Sequence, residues 1–343
     1  MATEVPSEAA EAGVPAEKGS AGAASSPLAR IGGRFALLGA WLLVIVIFAI
    51  ATPETFLSAA NIQTILSSQA VLVVLTLGLI VPMTAGDYDL SVSGVLSLSA
   101  MMLAVLNVEQ HVPIALAIVA VLVMGVITGL VNSFFVIYIG IESLIVTLGT
   151  TTVLTGIVLW ISNSNTISGI SPTLVDVVFV KQIFGVAPEF YYGLLLCAVL
   201  WYAFEFTTVG RRLLFVGRGR RVARLSGLRV NRIRMGALVS SGVISALAGI
   251  LYAGTTGAAN PGSGAGFLLP AFAAAFLGAT TILPGRFNPW GTVIAVYFLV
   301  TGITGLQLLG VQSYVQQLFY GGALVFAVSL AQVARGRKVD DPT

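Results

Sequence analysis

Charged residues are scarce in this sequence. They make up 9% of the 343 residues, whereas hydrophobic types make up 57%, and the mean hydropathy is +0.98. Soluble domains carry about 25% charged residues, and so few charges could not cover a surface that faces water. The composition therefore excludes an ordinary soluble domain and indicates that lipid is the solvent. The 38 glycines fit closely packed transmembrane helices.

Residues that usually carry chemistry are almost absent. The chain has one cysteine, Cys197, and one histidine, His111, which excludes an internal disulfide and a Cys/His metal cluster. None of its three lysines follows a glycine, so there is no GxxxxGK[ST] phosphate-binding loop. Neither HExxH nor GxSxG occurs, and no span contains the regularly spaced arginines of a voltage sensor. We therefore expect a protein that is not an enzyme, with no catalytic residue, metal or cofactor.

Apolar runs recur along the chain at the length that crosses a bilayer, about 20 residues. Because a backbone in lipid must satisfy its own hydrogen bonds, these runs are predicted to be helices. The fold predicted is an all-α polytopic membrane bundle of about ten transmembrane helices, with eight or nine left open. The ten runs lie at residues 35–52, 67–84, 92–107, 112–136, 143–161, 191–206, 235–255, 267–283, 291–309 and 314–333.

The two ends of the chain differ from the apolar middle. Residues 1–30 are rich in Ala, Glu, Ser and Gly, a composition typical of a disordered tail. No cleavable signal is visible, so the first apolar run is expected to stay as a span. We predict one transmembrane domain over residues 31–335 and a second short tail over residues 336–343.

Basic residues predict how the chain is oriented. Nine arginines and no acidic residue lie between positions 211 and 234. With ten spans, both tails and the 207–234 loop share one side, and only Lys181 among the 17 Lys and Arg residues falls on the other. The positive-inside rule makes the shared side cytoplasmic. We therefore expect a multi-pass protein of a bacterial-type inner membrane with both termini in the cytoplasm.

The basic loop contains a short helical pattern. Residues 222–228 (VARLSGL) predict a helix that glycine ends. One interpretation is a basic anchor that also contacts anionic membrane lipid, and another is a helix that docks a partner. Composition alone favours the anchor. Nucleic acid is not an expected partner, because the loop has one aromatic residue, Phe215, and no binding fold around it.

Two polar features are candidates for a translocation path. Asp87 and Asp89 lie between two apolar runs, where charge is costly and usually functional. A hydrated turn that caps the next helix explains them equally well, and nothing else supports acid–base catalysis by the pair. The fifth span is rich in threonine, whose hydroxyls usually bond back to their own helix but could line a polar route. The path candidates are Asp87, Asp89, Ser91, Thr147 and Thr151.

The polar segment with Asp87 and Asp89 is one break between apolar runs, and a second break lies at residues 277–292 (LGATTILPGRFNPWGT). Paired interruptions in two halves of a transporter often mark internal repeats and a pathway at the middle of the membrane. An ordinary interfacial turn is the favoured interpretation, because the similarity between the two breaks is weak.

Three stretches together resemble a known family. Residues 86–94 (GDYDLSVSG), residues 208–212 (TVGRR) with residues 222–228, and residues 277–292 are similar in order and spacing to motifs of the permease subunits of bacterial ABC importers for simple sugars, the ribose/xylose/galactose type. The resemblance covers residues 35–335. It implies a homodimeric or heterodimeric pore, cytoplasmic ATPase subunits, and a periplasmic or lipoprotein sugar-binding protein.

The resemblance also implies a role for the basic loop, and it reverses the preference for an anchor. The ATPase-coupling residues would be Ala223, Arg224, Leu225, Ser226, Gly227 and Leu228. The expected cargo is a pentose, hexose or sugar alcohol. An ABC permease for a nucleoside or a branched-chain amino acid is the alternative, followed by an ion-coupled carrier that uses Asp87 or Asp89.

Overall fold

The computed structural model describes residues 27–312 and 314–334, with side chains over 35–312 and 314–329. Most of the two predicted tails lies outside these residues. The helices are α1 Pro27–Ala51, α2 Pro53–Phe56, α3 Ala59–Ser68, α4 Ala70–Thr84, α5 Val92–Ala104, α6 Ile114–Ser133, α7 Ser143–Ile161, α8 Pro172–Val175, α9 Pro188–Phe206, α10 Thr208–Arg218, α11 Arg220–Leu225, α12 Val230–Thr256, α13 Leu268–Gly278, α14 Pro289–Leu308 and α15 Tyr314–Ala334. Strands β1 Ile167–Ser168 and β2 Ala258–Ala259 pair antiparallel.

The prediction of an all-α polytopic bundle is confirmed. Seven helical segments of the described chain are long and apolar enough to cross a membrane, and Phe35–Ala51 and Ala265–Gly278 are shorter apolar helices. Each of the ten predicted runs overlaps a helix, the last of them α15. Several predicted ends differ from the observed ones. Helix α1 begins at Pro27 rather than at 35, and the second span begins at Ala59 rather than at 67. Helix α13 stops at Gly278 rather than at 283, and α12 begins at Val230, inside the predicted loop.

Helix α4 forms the centre of the bundle. Its 15 residues are apolar around the whole circumference except for Thr76 and Thr84, and all of them are buried. A helix that is apolar on every side is suited to such a central position. Helices α5, α9, α12, α13 and α14 pack around it, α6 packs against α5 and α12, and α7 packs against α5.

One end of the bundle collects three connecting segments, and we call it the arginine-rich end. These are the turn at residues 85–91, the α10–α11 segment, and the turn at residues 279–288. Arg286 of the third segment pairs with Glu205 near the end of α9, with an N–O distance of 2.7 Å. The ring of Tyr88 lies 6.5 Å from that of Phe276, near the end of α13. The two breaks singled out in the sequence therefore lie side by side.

Asn288 explains why the second break is a sharp turn. Its side-chain oxygen accepts a hydrogen bond of 2.7 Å from the backbone N–H of Gly291, which caps the start of α14. Its amide nitrogen donates to the carbonyl oxygens of Gly278 and Thr281. This side chain is 3% exposed, so a single buried amide satisfies backbone groups on both sides of the turn.

Candidate functional site

Helix α11 is the short helix that the sequence predicts, and its end is well defined. Gly227 has φ +79°, and a Schellman pair of hydrogen bonds closes the helix, from Leu228 N–H to Ala223 C=O and from Gly227 N–H to Arg224 C=O, both at 3.1 Å. Glycine adopts this left-handed conformation without the steric penalty that other residues meet. The chain therefore turns sharply from α11 towards α12.

Helix α11 is held on one side and uncovered on the other. Ala223 is fully buried in a small apolar cluster with Val216 of α10 and Val230 of α12. On the opposite side, Val222 is 59% exposed and Leu225 is 82% exposed. The buried Ala223 holds this short helix against α10 and α12. The exposed apolar side chains on the other side offer a surface to a partner.

Asp87 connects the turn at residues 85–91 to the basic loop. The Arg234 guanidinium of α12 donates to both carboxylate oxygens, each at 2.7 Å. Arg220, the first residue of α11, donates to one of the same oxygens at 2.8 Å and to the Gly86 carbonyl at 2.6 Å. Asp87 is 1% exposed and Arg234 is 9% exposed. Two-point, charge-assisted bonds of this kind are strong and fix orientation.

Asp89 belongs to a separate hydrogen-bond chain. Its carboxylate accepts from the backbone N–H and the hydroxyl of Ser91, at 3.0 and 2.5 Å. The Asn132 amide of α6 donates to the Ser91 hydroxyl at 2.8 Å, and the Thr150 hydroxyl of α7 donates to the Asn132 oxygen at 2.7 Å. Burial raises the pKa of the Asp89 carboxyl above its ordinary value, and the hydrogen bonds from Ser91 oppose that rise.

Polar side chains on one face of α7 hold the backbone of the same turn. The Ser143 hydroxyl accepts from Tyr88 N–H and the Thr147 hydroxyl accepts from Leu90 N–H, both at 3.0 Å. The Thr151 hydroxyl donates to the Leu90 carbonyl at 2.9 Å. These residues recur every four positions, which places them on one helix face. The hydroxyls of this face therefore satisfy backbone groups of the turn that have no partner in a helix.

The structure thus brings the five path candidates to one place, in and around the turn at residues 85–91. Asp87, Asp89, Ser91 and Thr147 are each at most 1% exposed, and their polar atoms are used within the protein. Their role in translocation stays a prediction. Among the described residues, no three His, Cys, Asp or Glu side chains could together hold a metal ion.

Sequence reasoning missed the residues that complete the network: Arg220, Arg234, Asn132, Ser143 and Thr150. A signal for the two arginines was present. The basic loop contains no acid, and the turn with Asp87 falls on the same predicted side of the membrane. Unbalanced charge of opposite sign on two neighbouring segments predicts an ion pair between them, because an unpaired buried charge is costly.

Replacing Asn132 with alanine should lower the free energy of unfolding by about 1–3 kcal/mol, because the change leaves buried polar partners unsatisfied. The measurement is denaturant unfolding of the purified protein in detergent micelles. The control is Thr155→Val, since the exposed Thr155 hydroxyl bonds only to the Thr151 carbonyl of its own helix. Equal, small effects of both changes would contradict the proposed hydrogen-bond chain.

The fold and this network define a class of protein: a polytopic α-helical membrane protein whose basic loop is tied to a buried carboxylate between two spans. The sequence profile of the family described as the permease component of branched-chain amino acid transport systems matches residues 61–328. The chain belongs to this family of ABC-importer permease subunits. It is accordingly a multi-pass protein of the inner membrane, and proteins of this family work with an ATPase and a substrate-binding protein.

Several curated relatives match almost the whole chain. The D-allose transport system permease protein AlsC of Escherichia coli K12 is 31% identical over 84% of this chain and 88% of its own length. The ribose import permease protein RbsC of Bacillus subtilis 168 is 32% identical over 85% and 90%. The autoinducer 2 import system permease protein LsrD of Photorhabdus laumondii is 31% identical over 87% and 91%. No solved structure matches the chain significantly.

Proposed function

We propose that this protein is the pore subunit of an ATP-driven importer of a simple sugar or a similarly small polyhydroxy compound. Relatives named for D-allose, ribose and autoinducer 2 import support the cargo class. The single observation that supports the energy-coupling role is the Asp87 network, which joins an exposed helix to a turn between two buried spans. The chain has no phosphate-binding loop, so hydrolysis belongs to a separate subunit.

The arginine-rich end is the cytoplasmic end in this proposal. Arg220, Arg234 and Arg286 lie there with seven exposed arginines of the α10–α12 segment. Positive charge on this scale is retained on the cytoplasmic side. Even numbers of spans before and after the basic loop then put both tails on the same side. The domain organisation keeps residues 31–335 as the permease domain, with residues 207–234 as its coupling loop.

Residues 223–228 are the coupling segment of the proposed importer. The ATPase would hold the exposed Val222 and Leu225, while Ala223 and the Schellman turn keep α11 fixed to α10 and α12. When the ATPase subunits close, movement of α11 would pass through Arg220 to Asp87 and so to the turn between α4 and α5. A shift of this turn biases the pore between inward-open and outward-open populations.

The path candidates gain a more specific role in this mechanism. Thr147 and Thr151 fix the turn against α7, and Ser91 ties it to Asn132 of α6, so movement of the turn carries α7 with it. On the outer surface of α7, Gly149, Thr152 and Gly156 are exposed. We propose that this surface faces the second permease of a homodimer or heterodimer, where the translocation path forms between the two chains.

Replacing Leu225 with aspartate should abolish co-purification of the ATPase and ATP-dependent uptake. The change puts a charge on the most exposed apolar side chain of α11 while Ala223 and Gly227 keep the helix in place. Uptake is measured in proteoliposomes with the whole importer. Phe184→Asp is the matched control, because Phe184 is 97% exposed outside the spans and far from the arginine-rich end. Normal ATPase binding by the Leu225 variant would overturn the docking role.

The cargo is tested separately, in a strain that lacks its own copy of the importer. Uptake of labelled ribose, allose, xylose, galactose and a sugar alcohol is compared with uptake of leucine, which the family description makes the appropriate competitor. We expect sugar uptake that ATP depletion stops and that a protonophore, at clamped ATP, does not. Leucine uptake, or uptake that follows the proton gradient, would overturn the sugar-importer proposal.

A further inference from the structure

A groove of about 960 Å³ runs along the outside of the bundle between α9 and α12. Its wall is apolar over most of its length, with Leu196, Val199 and Leu200 from α9 and Val239, Val243 and Ile244 from α12. Val199 is 54% exposed, so the groove opens outward. Because α9 and α12 are both apolar enough to cross the membrane, acyl chains of the bilayer reach this opening.

One end of the groove is basic. Arg212 of α10, Arg229 before α12 and Arg232 in its first turn line it there. All three side chains are exposed, and the described residues give none of them an ion-pair partner. This differs from Arg220 and Arg234, which are committed to Asp87. Three uncompensated guanidinium groups converge where an apolar groove ends.

An amphiphile with an anionic head and acyl tails has this distribution of charge. Guanidinium groups bind phosphate oxygens in two-point fashion, and basic pockets between spans on the cytoplasmic side bind anionic lipid head groups. A sugar fits poorly, because the apolar wall offers few hydrogen-bond partners for its hydroxyls. A second copy of the chain would bring its own basic loop near these arginines only at the cost of like-charge repulsion.

We propose that the groove between α9 and α12 is a binding site for an anionic phospholipid, with the phosphate at Arg212, Arg229 and Arg232. Gly227 and Leu228, which follow α11, line the same groove. The bound lipid therefore steadies the segment between α11 and α12. The lipid-binding claim needs the membrane location of the chain but not the identity of the cargo or the ATPase contact.

Native mass spectrometry of the full chain, titrated with phosphatidylglycerol or with phosphatidylcholine of identical acyl chains, tests the site. We expect retained adducts of phosphatidylglycerol only. The triple variant Arg212→Gln, Arg229→Gln, Arg232→Gln should lose roughly 100-fold in affinity for it, since each basic residue near the head group adds to binding. The matched control changes Arg211, Arg218 and Arg221 to glutamine, because these exposed arginines do not line the groove. It should keep wild-type affinity.

A second pair of variants tests the apolar wall. Ser240 lines the groove, so Ser240→Trp should fill it and reduce phosphatidylglycerol binding. Leu195→Trp is the control, because Leu195 is 63% exposed on α9 outside the lining. Equal losses in the two triple variants, equal binding of the two lipids, an unaffected Ser240 variant, or a chain without phosphatidylglycerol adducts would each overturn the proposal. If the arginine variant does not fold, the proposal is tested by comparing phosphatidylglycerol with phosphatidylcholine binding to the unmodified chain and to the Ser240 variant.

Discussion

Replacing Asp87 with alanine is expected to destabilise the permease by about 3–5 kcal/mol, because it leaves the Arg234 guanidinium buried without its partner. Arg234 is 9% exposed and makes both of its side-chain hydrogen bonds to this carboxylate. Unfolding of the purified protein in bicelles measures the loss. In the assembled importer, the same change should also stop ATP-driven uptake, since the turn loses its connection to α11.

Arg220→Ala is the matched comparison for this prediction. The Arg220 side chain is 42% exposed, and ion pairs of exposed side chains contribute only about 0–1 kcal/mol. We therefore expect a nearly unchanged unfolding free energy but impaired coupling of ATP hydrolysis to uptake. A loss as large as that of Asp87→Ala would contradict the assignment of the stabilising pair to Arg234.

The double variant Asp87→Ala, Arg234→Ala separates stability from coupling. Removing both charges also removes the unpaired buried group, so the double variant should be more stable than Asp87→Ala alone. Its uptake should stay low, because the turn is still disconnected. Additive losses of stability would contradict the Asp87–Arg234 pair, and recovery of uptake in the double variant would contradict the role of Asp87 in coupling.

The membrane class and the positions of the spans followed from the sequence, because each span needs a long apolar run and nothing else. The turn with Asp87 and the glycine-ended helix were also visible as motifs. The choice of arginines that pair with Asp87 was not. Nine arginines in the loop are equivalent candidates, and only the packing of α4, α11 and α12 selects Arg220 and Arg234 for Asp87.

The threonines of α7 show the same limit. Their spacing predicts one polar face, but a polar face satisfies its hydrogen bonds equally well against a pore, against its own helix or against a neighbouring turn. All four hydroxyls bond back to α7, but Thr147 and Thr151 also bond to the turn, whereas Thr152 and Thr155 do not. Which of these partners a hydroxyl finds depends on the residues that lie across the bundle, and the local sequence does not indicate which residues those are.

The second large effect is expected where α6 crosses α12. A Cβ atom added at Gly129 would lie 2.5 Å from Val239 Cα and 2.8 Å from the Leu238 carbonyl oxygen. Both are backbone atoms, so no side chain can move aside, and α6 must separate from α12. Gly129→Leu should therefore cost about 3 kcal/mol or more, at the upper end of overpacking effects, and most of the protein should be lost as aggregate on size exclusion.

Gly39→Leu is the control, because nothing lies within 4 Å of a Cβ atom at Gly39 in α1. It introduces the same side chain into a span without forcing two helices apart, so its yield and unfolding midpoint should match those of the unmodified protein.

Close approach of helix backbones is the main way that spans gain contact energy in lipid, where apolar side chains are as well solvated by acyl chains as by each other. The α6–α12 crossing carries α12, and with it Arg234, to the position from which it reaches Asp87. A Gly129→Leu protein that folded normally and retained uptake would show that the α12 position is set elsewhere.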